Sequence, residues 1–185
     1  MQTKYITKKL TYTGAELQSL FAYKNFRVQG DSVIAFCGPC EVQITELVDQ
    51  EDVLNKDFIR SAEMLHFIVE KFNLDLEEGI FRQRLYMAII KETLEQLKPE
   101  LKITRDGDDL FINNRKLSVS IATLSPVSTV IHIGINIDPT GAPVKAIGLN
   151  DLKVKKDIFI KRVLVAIEAE EASIQKARCK VRAVQ

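Results

Sequence analysis

The chain has 185 residues, 46% hydrophobic and 28% charged, which is enough for one substantial core and short for two, so a single domain over residues 1–185 is expected. Its 26 basic and 25 acidic residues leave a formal net charge of +1, which gives no overall field to draw it to nucleic acid or to an anionic membrane surface. The first ten residues lack an apolar run of signal-peptide length, no segment approaches the roughly 20 apolar residues of a membrane span, and three cysteines without a secretory signal argue against a disulfide framework; a cytoplasmic protein is expected.

Residues 5–12 alternate well enough for a first strand, and Thr13-Gly14 introduces residues 15–23, where Leu17, Leu20 and Phe21 share a helical face. Residues 26–28 read as a short strand, Gly30-Asp31 as a turn, residues 32–36 as a buried strand and residues 49–56 as a loop with one helical turn. Two helices follow. Residues 58–72 place Ile59, Ala62, Met64, Leu65, Ile68 and Val69 along one side, with His66 and Glu70 as a solvated pair four apart; residues 76–97 do the same with Ile80, Leu85, Ala88, Ile89 and Leu94, and Pro99 closes that helix. Arg82 and Arg84 point to different sides of it, with a surface role for each as the default reading.

A strand over residues 101–104 leads into Asp106-Gly107, a hairpin signal. Three β-branched runs then succeed one another at residues 110–112, 117–122 and 130–137, separated by Asn113-Asn114 and Ser125-Pro126, and read as an antiparallel meander. After the Pro/Gly connector, residues 144–147 add a strand and residues 157–182 form the last helix. The fold expected is α+β: a mixed, mostly antiparallel sheet with helices packed on it.

In the run from Val130 to Ile137, side chains alternate across the strand, so Ile131, Ile133, Ile135 and Ile137 make one greasy face. The other face carries His132, Gly134 and Asn136. It suits a long, thin ligand, with Gly134 letting the ligand approach the backbone and with Asn136 and Lys116 offering donors near the strand ends. The alternative reading is an ordinary sheet, with Lys116 a solvated edge charge, His132 a satisfied histidine and Gly134 a bulge.

Asp108-Asp109-Leu110, Arg115-Lys116-Leu117-Ser118 with Ala122, and Gly134-Ile135-Asn136 together resemble the catalytic core of the biotin and lipoate protein ligases, a class II synthetase-like domain. Asp109 precedes Lys116 by seven positions, as in that family. His132, Gly134 and Asn136 partly echo the lipoate octanoyltransferases, and residues 33–42 are similar to the segment that walls their acyl pocket, with Cys37 where they have histidine and Cys40 where they have glycine. More narrowly, the chain resembles a set of uncharacterised conserved prokaryotic proteins of this fold.

The resemblance implies acyl transfer or adenylate formation, with Lys116 stabilising charge on an acyl oxygen, Asp109 orienting the lysine or, in the ligase version, helping to hold a metal-bound nucleotide, and Ser118, Ser120, His132, Gly134 and Asn136 with Asp109 binding substrate. It implies ATP with magnesium in the ligase version, a small carboxylate, acyl group or nucleotide as ligand, a carrier protein domain as acceptor, and a homodimer. The sequence departs from the pattern at Val119, where ligases have glycine, and at residues 145–150, which lack the octanoyltransferase cysteine. A non-catalytic binder of a small carboxylate or nucleotide is the second reading.

Cys37-Gly38-Pro39-Cys40 is letter for letter the thioredoxin redox motif, where a helix N-terminus favours the thiolate. A thiol-redox protein is therefore a third reading, although Glu41-Val42-Gln43-Ile44-Thr45 alternates like a strand. Cys37 or Cys40 could also act as a nucleophile along the acyl pocket. For zinc, the further ligands at Cys179, His66 and His132 have no recognisable spacing, and no metal is expected.

Overall fold

A computed structural model of the chain describes residues 1–55 and 58–184. Its centre is a five-stranded sheet in the order β1-β2-β3-β8-β7, and a three-stranded sheet, β4-β5-β6, stands beside it. Strand β1 (Gln2–Ile6) pairs parallel with β2 (Ser32–Val42), while β3 (Ile59–Lys71), β8 (Thr129–Asp138) and β7 (Ser118–Leu124) are joined antiparallel. The small sheet holds β4 (Ile103–Asp106), β5 (Asp109–Ile112) and β6 (Arg115–Lys116).

The helices α3 (Leu76–Leu97) and α4 (Lys156–Arg178) pack on one face of the large sheet. Odd-numbered side chains of three neighbouring strands meet them: Val33, Ala35 and Cys37 of β2, Leu65, Phe67 and Val69 of β3, and Ile131, Ile133, Ile135 and Ile137 of β8, against Tyr86, Met87, Ile90, Phe159, Ile160 and Val163. The greasy face expected of β8 is this one. On the opposite face Ile34, Phe36, Cys40, Met64 and Ile68 form a second cluster with Tyr12 and with Phe21 and Ala22 of the short helix α1 (Phe21–Phe26).

The largest departure from the sequence reading is residues 58–72, expected as a helix and found as the central strand β3. From Met64 to Lys71 every residue is buried, because helices cover one face and the Tyr12 layer the other. A strand covered on both faces has no polar-out alternation, and its continuous apolar run matches a helical face by chance. His66 and Glu70 are accordingly not a solvated pair: both are buried, and Glu70 accepts from the backbone of Leu20 and from Ser128.

Smaller corrections follow from local chemistry. The expected helix over residues 15–23 is confined to α1, because Gly14 and Leu20 both take positive φ and interrupt it; the strand expected at residues 26–28 is absent, Arg27 being the left-handed cap of α1. The first strand stops at Ile6, and Tyr12 rejoins the sheet through a single bridge to Cys40. Residues 144–147 contribute only a bridge between Lys116 and Ala146. The helical turn expected within residues 49–56 is α2 (Gln50–Asn55); Lys56 lies outside the described residues.

The turn signals place the candidate site. Gly107 at positive φ closes the β4–β5 hairpin, and Asn113 and Asn114, both at positive φ, form the two-residue turn between β5 and β6. These hairpins deliver Asp108, Asp109 and Lys116 to one end of the sheet.

Candidate functional site

A cavity of about 370 Å³ opens on the Tyr12 face of the large sheet. Its wall includes Asp109, Lys116, Ser118, Ser120, His132 and Asn136, six residues singled out from the sequence, together with Tyr12, Met64 and Val119. Lys116 Nζ lies 2.8 Å from an Asp109 carboxylate oxygen, and both residues are partly exposed. Burial raises the Asp109 carboxyl above its ordinary range, and the Lys116 ammonium opposes that rise. The Lys116 backbone is held on both sides, since its N–H donates to Lys145 O and its carbonyl accepts from Ile147 N.

The two serines are already engaged. Ser118 Oγ accepts from Leu110 N at 2.8 Å and ties β5 to β7. Ser120 Oγ donates to Asp108 and accepts from Gln83 Nε2 at 2.7 Å, while Arg84 pairs with the other Asp108 oxygen at 2.8 Å. Helix α3 thus clamps the hairpin that carries Asp109.

His132 and His66, on adjacent strands β8 and β3, approach to 3.1 Å between His132 Nε2 and His66 Nδ1. Tyr12 stacks on His132 with ring centroids 3.7 Å apart, and Phe36 stacks on His66. Burial lowers both imidazoles, His66 to about 4 and His132 well below its ordinary value, so both are neutral at pH 7. Asn136 Nδ2 donates to Lys116 O at 3.3 Å, which leaves its buried Oδ1 without a partner among the described residues. Tyr12 and Met64 carry no motif and were missed from the sequence, and His66 was placed on a helix; the one usable signal was that the chain contains only two histidines.

Gly134 does not offer the ligand the open backbone expected of it. A β-carbon there would lie 3.0 Å from Val119 Cγ2 and 3.1 Å from Met64 Sδ, so its neighbours already fill the space. Val119 is paired directly opposite Gly134, which means the bulk missing at one position is supplied by the other. Gly134→Ala should therefore cost about 1–2 kcal/mol in urea unfolding through overpacking, and less in a Val119→Ala background. An equal loss in both backgrounds would show that Val119 is not what the new methyl meets.

Cys37 and Cys40 are both buried and unpaired, and they belong to the two opposite faces of β2. Neither is among the described residues lining the cavity. Their motif lies inside a strand, not at a helix N-terminus. Burial raises both thiols, Cys40 to about 12. The motif has a backbone explanation: the pairing of β2 with β3 shifts register between Gly38 and Cys40, a position that tolerates Pro39 with its missing N–H. A β-carbon at Gly38 would sit 1.9 Å from Leu10 O, where the segment leading to Tyr12 crosses the strand.

The rim of the cavity is acidic. Glu46, Asp49, Asp52, Asp108 and Asp109 line it against the cations Arg60 and Lys116. Among the described residues, no group of three or more His, Cys, Asp or Glu side chains could hold a metal ion, and no helix is long and apolar enough to cross a membrane.

Comparison with solved structures extends this geometry. A biotin protein ligase from Aquifex aeolicus, in complex with biotin and ATP, superposes with a TM-score of 0.59 at 15% identity over 90% of this chain and 69% of that one. The Thermoplasma acidophilum protein Ta0514, a candidate lipoate protein ligase with bound lipoic acid, gives 0.56 at 12% identity over 91% and 86%. At these identities the likeness is one of fold: a mixed α+β domain of the biotin/lipoate ligase catalytic type. A protein of unknown function from Pyrococcus horikoshi superposes with a TM-score of 0.93 at 37% identity over 99% of this chain and all of that one. The uncharacterised protein MJ0805 of Methanocaldococcus jannaschii is 40% identical over 177 residues, 92% of this chain and 79% of the relative. The model of the family described as Domain of unknown function (DUF366) matches residues 1–182, and with relatives of that likeness the chain belongs to the DUF366 family.

Proposed function

We propose that the protein is a divergent relative of the biotin and lipoate ligases that binds an acyl group in this cavity and transfers it to an amine on a carrier. The observation that carries the reading is a lysine at the cavity wall, backbone-anchored and held by Asp109 at 2.8 Å, in a fold whose solved neighbours bind small carboxylates. When an amine attacks an acyl carbon, the carbonyl oxygen becomes an oxyanion. The carbon–sulfur bond of a thioester donor then breaks, and the thiolate takes the proton that the amine releases. A fixed ammonium beside that oxygen favours the charged transition state over the neutral donor. In this assignment Lys116 is the catalytic residue and Asp109 the residue that orients it.

A thioester donor already carries an activated acyl group, so the proposal routes no step through a nucleotide, and at the cavity wall Asp108 and Asp109 are bonded to Arg84 and Lys116. The acidic rim of the cavity suits a cationic acceptor amine. Cys37 and Cys40 have no part in it either, their thiols being buried and raised.

The test is a panel of biotin, lipoate, octanoate and their thioesters in thermal-shift and turnover assays. Lys116→Ala should lower turnover about a hundredfold with ligand-induced stabilisation retained; unchanged turnover would remove the assignment. The binder reading is favoured by Val119, which narrows the strand surface where ligases have glycine. Stabilisation by a ligand with no turnover in the wild-type protein would select it.

A further inference from the structure

We infer that the ligand presents a hydrogen-bond donor, an N–H or O–H of an uncharged group, to Nδ1 of His132 at the cavity wall. This rests on the reading of the cavity as the acyl site and specifies which acyl compounds it takes. A carbonyl oxygen cannot donate, and Gly38 O lies 3.3 Å from His66 Nε2, so the proton of His66 is on Nε2. His66 Nδ1 is then an acceptor, and the partner 3.1 Å away, His132 Nε2, must carry its own proton toward it. The second nitrogen of His132, Nδ1, is left as a bare acceptor without a partner among the described residues.

The same reasoning orients Asn136. Its amide faces Lys116 O, another pure acceptor, so the nitrogen is the atom that points there and Oδ1 is the orphan. His132 and Asn136 stand four residues apart on one face of β8, roughly 13 Å along the strand, too far for one terminal group of a ligand to reach both, and they are 3% and 4% exposed. Both line the cavity. The bare Nδ1 of His132, with the single proton of its ring committed toward His66, rejects a plain hydrocarbon tail or an ester and complements a carboxamide, a cyclic urea or a hydroxyl.

Three acids of matched length test this: octanoate, monomethyl suberate, which ends in an acceptor only, and suberamate, which ends in a carboxamide. Binding is followed by calorimetry, and ring-¹⁵N-labelled histidine reports the tautomers, with four nitrogen signals from two residues. Suberamate should bind at least about tenfold more tightly than monomethyl suberate and move the His132 Nδ1 signal, and both histidines should be Nε2–H before ligand is added. In His132→Phe the tenfold preference should disappear. Equal or tighter binding of octanoate or monomethyl suberate would overturn the inference and leave the acyl reading standing. A proton on His132 Nδ1 in the free protein would do the same. If none of the three binds, the acyl reading falls and takes this inference with it.

Discussion

Glu171→Ala should destabilise the protein by about 3–5 kcal/mol in urea unfolding, a large share of the roughly 5–15 kcal/mol that holds most domains folded. Glu171 is 2% exposed on α4 and accepts from three side chains on two other elements: Tyr86 at 2.7 Å and Arg82 Nε at 3.0 Å, both on α3, and Lys71 at 3.0 Å, the last residue of β3. Lys71 also reaches Asp31 at 2.7 Å, just before β2, and Arg82 pairs with Glu78. Truncation to alanine leaves the Tyr86 phenol without its acceptor and leaves Lys71 and Arg82 with only their second carboxylates, Asp31 and Glu78, and that lost compensation sets the size of the loss. Glu171→Gln keeps the shape and an acceptor oxygen, so it should cost distinctly less. Equal losses in the two variants would mean that the negative charge alone, and not the shape or the acceptor oxygen that glutamine retains, is responsible.

The pH dependence has a definite sign. Burial alone would raise the Glu171 carboxyl, but Tyr86, Lys71 and Arg82 outweigh it and hold the group below its ordinary value of 4.5. A carboxylate depressed in the folded state stabilises the protein above its unfolded pKa and loses that contribution as pH falls through the folded one. The Glu171 contribution is therefore complete at pH 5 and above and declines only below about 4.5.

How much of this was legible beforehand depended on whether the determining interactions are local. Turn chemistry is local, and Asp106-Gly107 and Asn113-Asn114 marked hairpins that exist. Helix α3 was legible because Pro99 stands two residues beyond Leu97, and in the structure its other end is held by Asp75, whose side chain accepts from Glu78 N. The alternation of β8 correctly separated the isoleucine face from the face with His132 and Asn136, since β8 faces two different environments. Strand β3 was misread because both of its faces are covered, so nothing in its spacing marks an outside.

The site divides in the same way. Lys116 and Asp109 are seven apart across one tight turn, so their meeting could be anticipated. His66 and His132 are 66 residues apart and meet only because β3 lies between β2 and β8, a sheet order that the sequence does not display. Tyr12 enters the wall from a segment beyond β1, carried there by the crossing of Leu10 over Gly38.

That histidine pair should also make the protein sensitive to mild acid in a window separate from that of Glu171. His66 falls from 6.5 in the unfolded chain to about 4 when folded, and His132 is lowered further, in both cases chiefly by burial. Between these values the unfolded chain binds protons that the folded one does not, so stability rises with pH there. The favourable state is complete above pH 6.5 and is lost as pH drops toward 4, by about 3 kcal/mol for His66 alone. No carboxylate is among the groups that act on the two rings: the backbone carbonyls of Gly38 and Pro39 act on His66, and His66 acts on His132. The urea midpoint of the wild-type protein should fall steeply from pH 6.5 to 4.5. A His66→Phe/His132→Phe variant keeps rings against Tyr12 and Phe36 without a titrating group, and its midpoint should be nearly flat over that interval. Parallel curves for the two proteins would show that protons enter the unfolding equilibrium elsewhere, and that the neutral relay from Gly38 O to His132 does not set the acid limit of the fold.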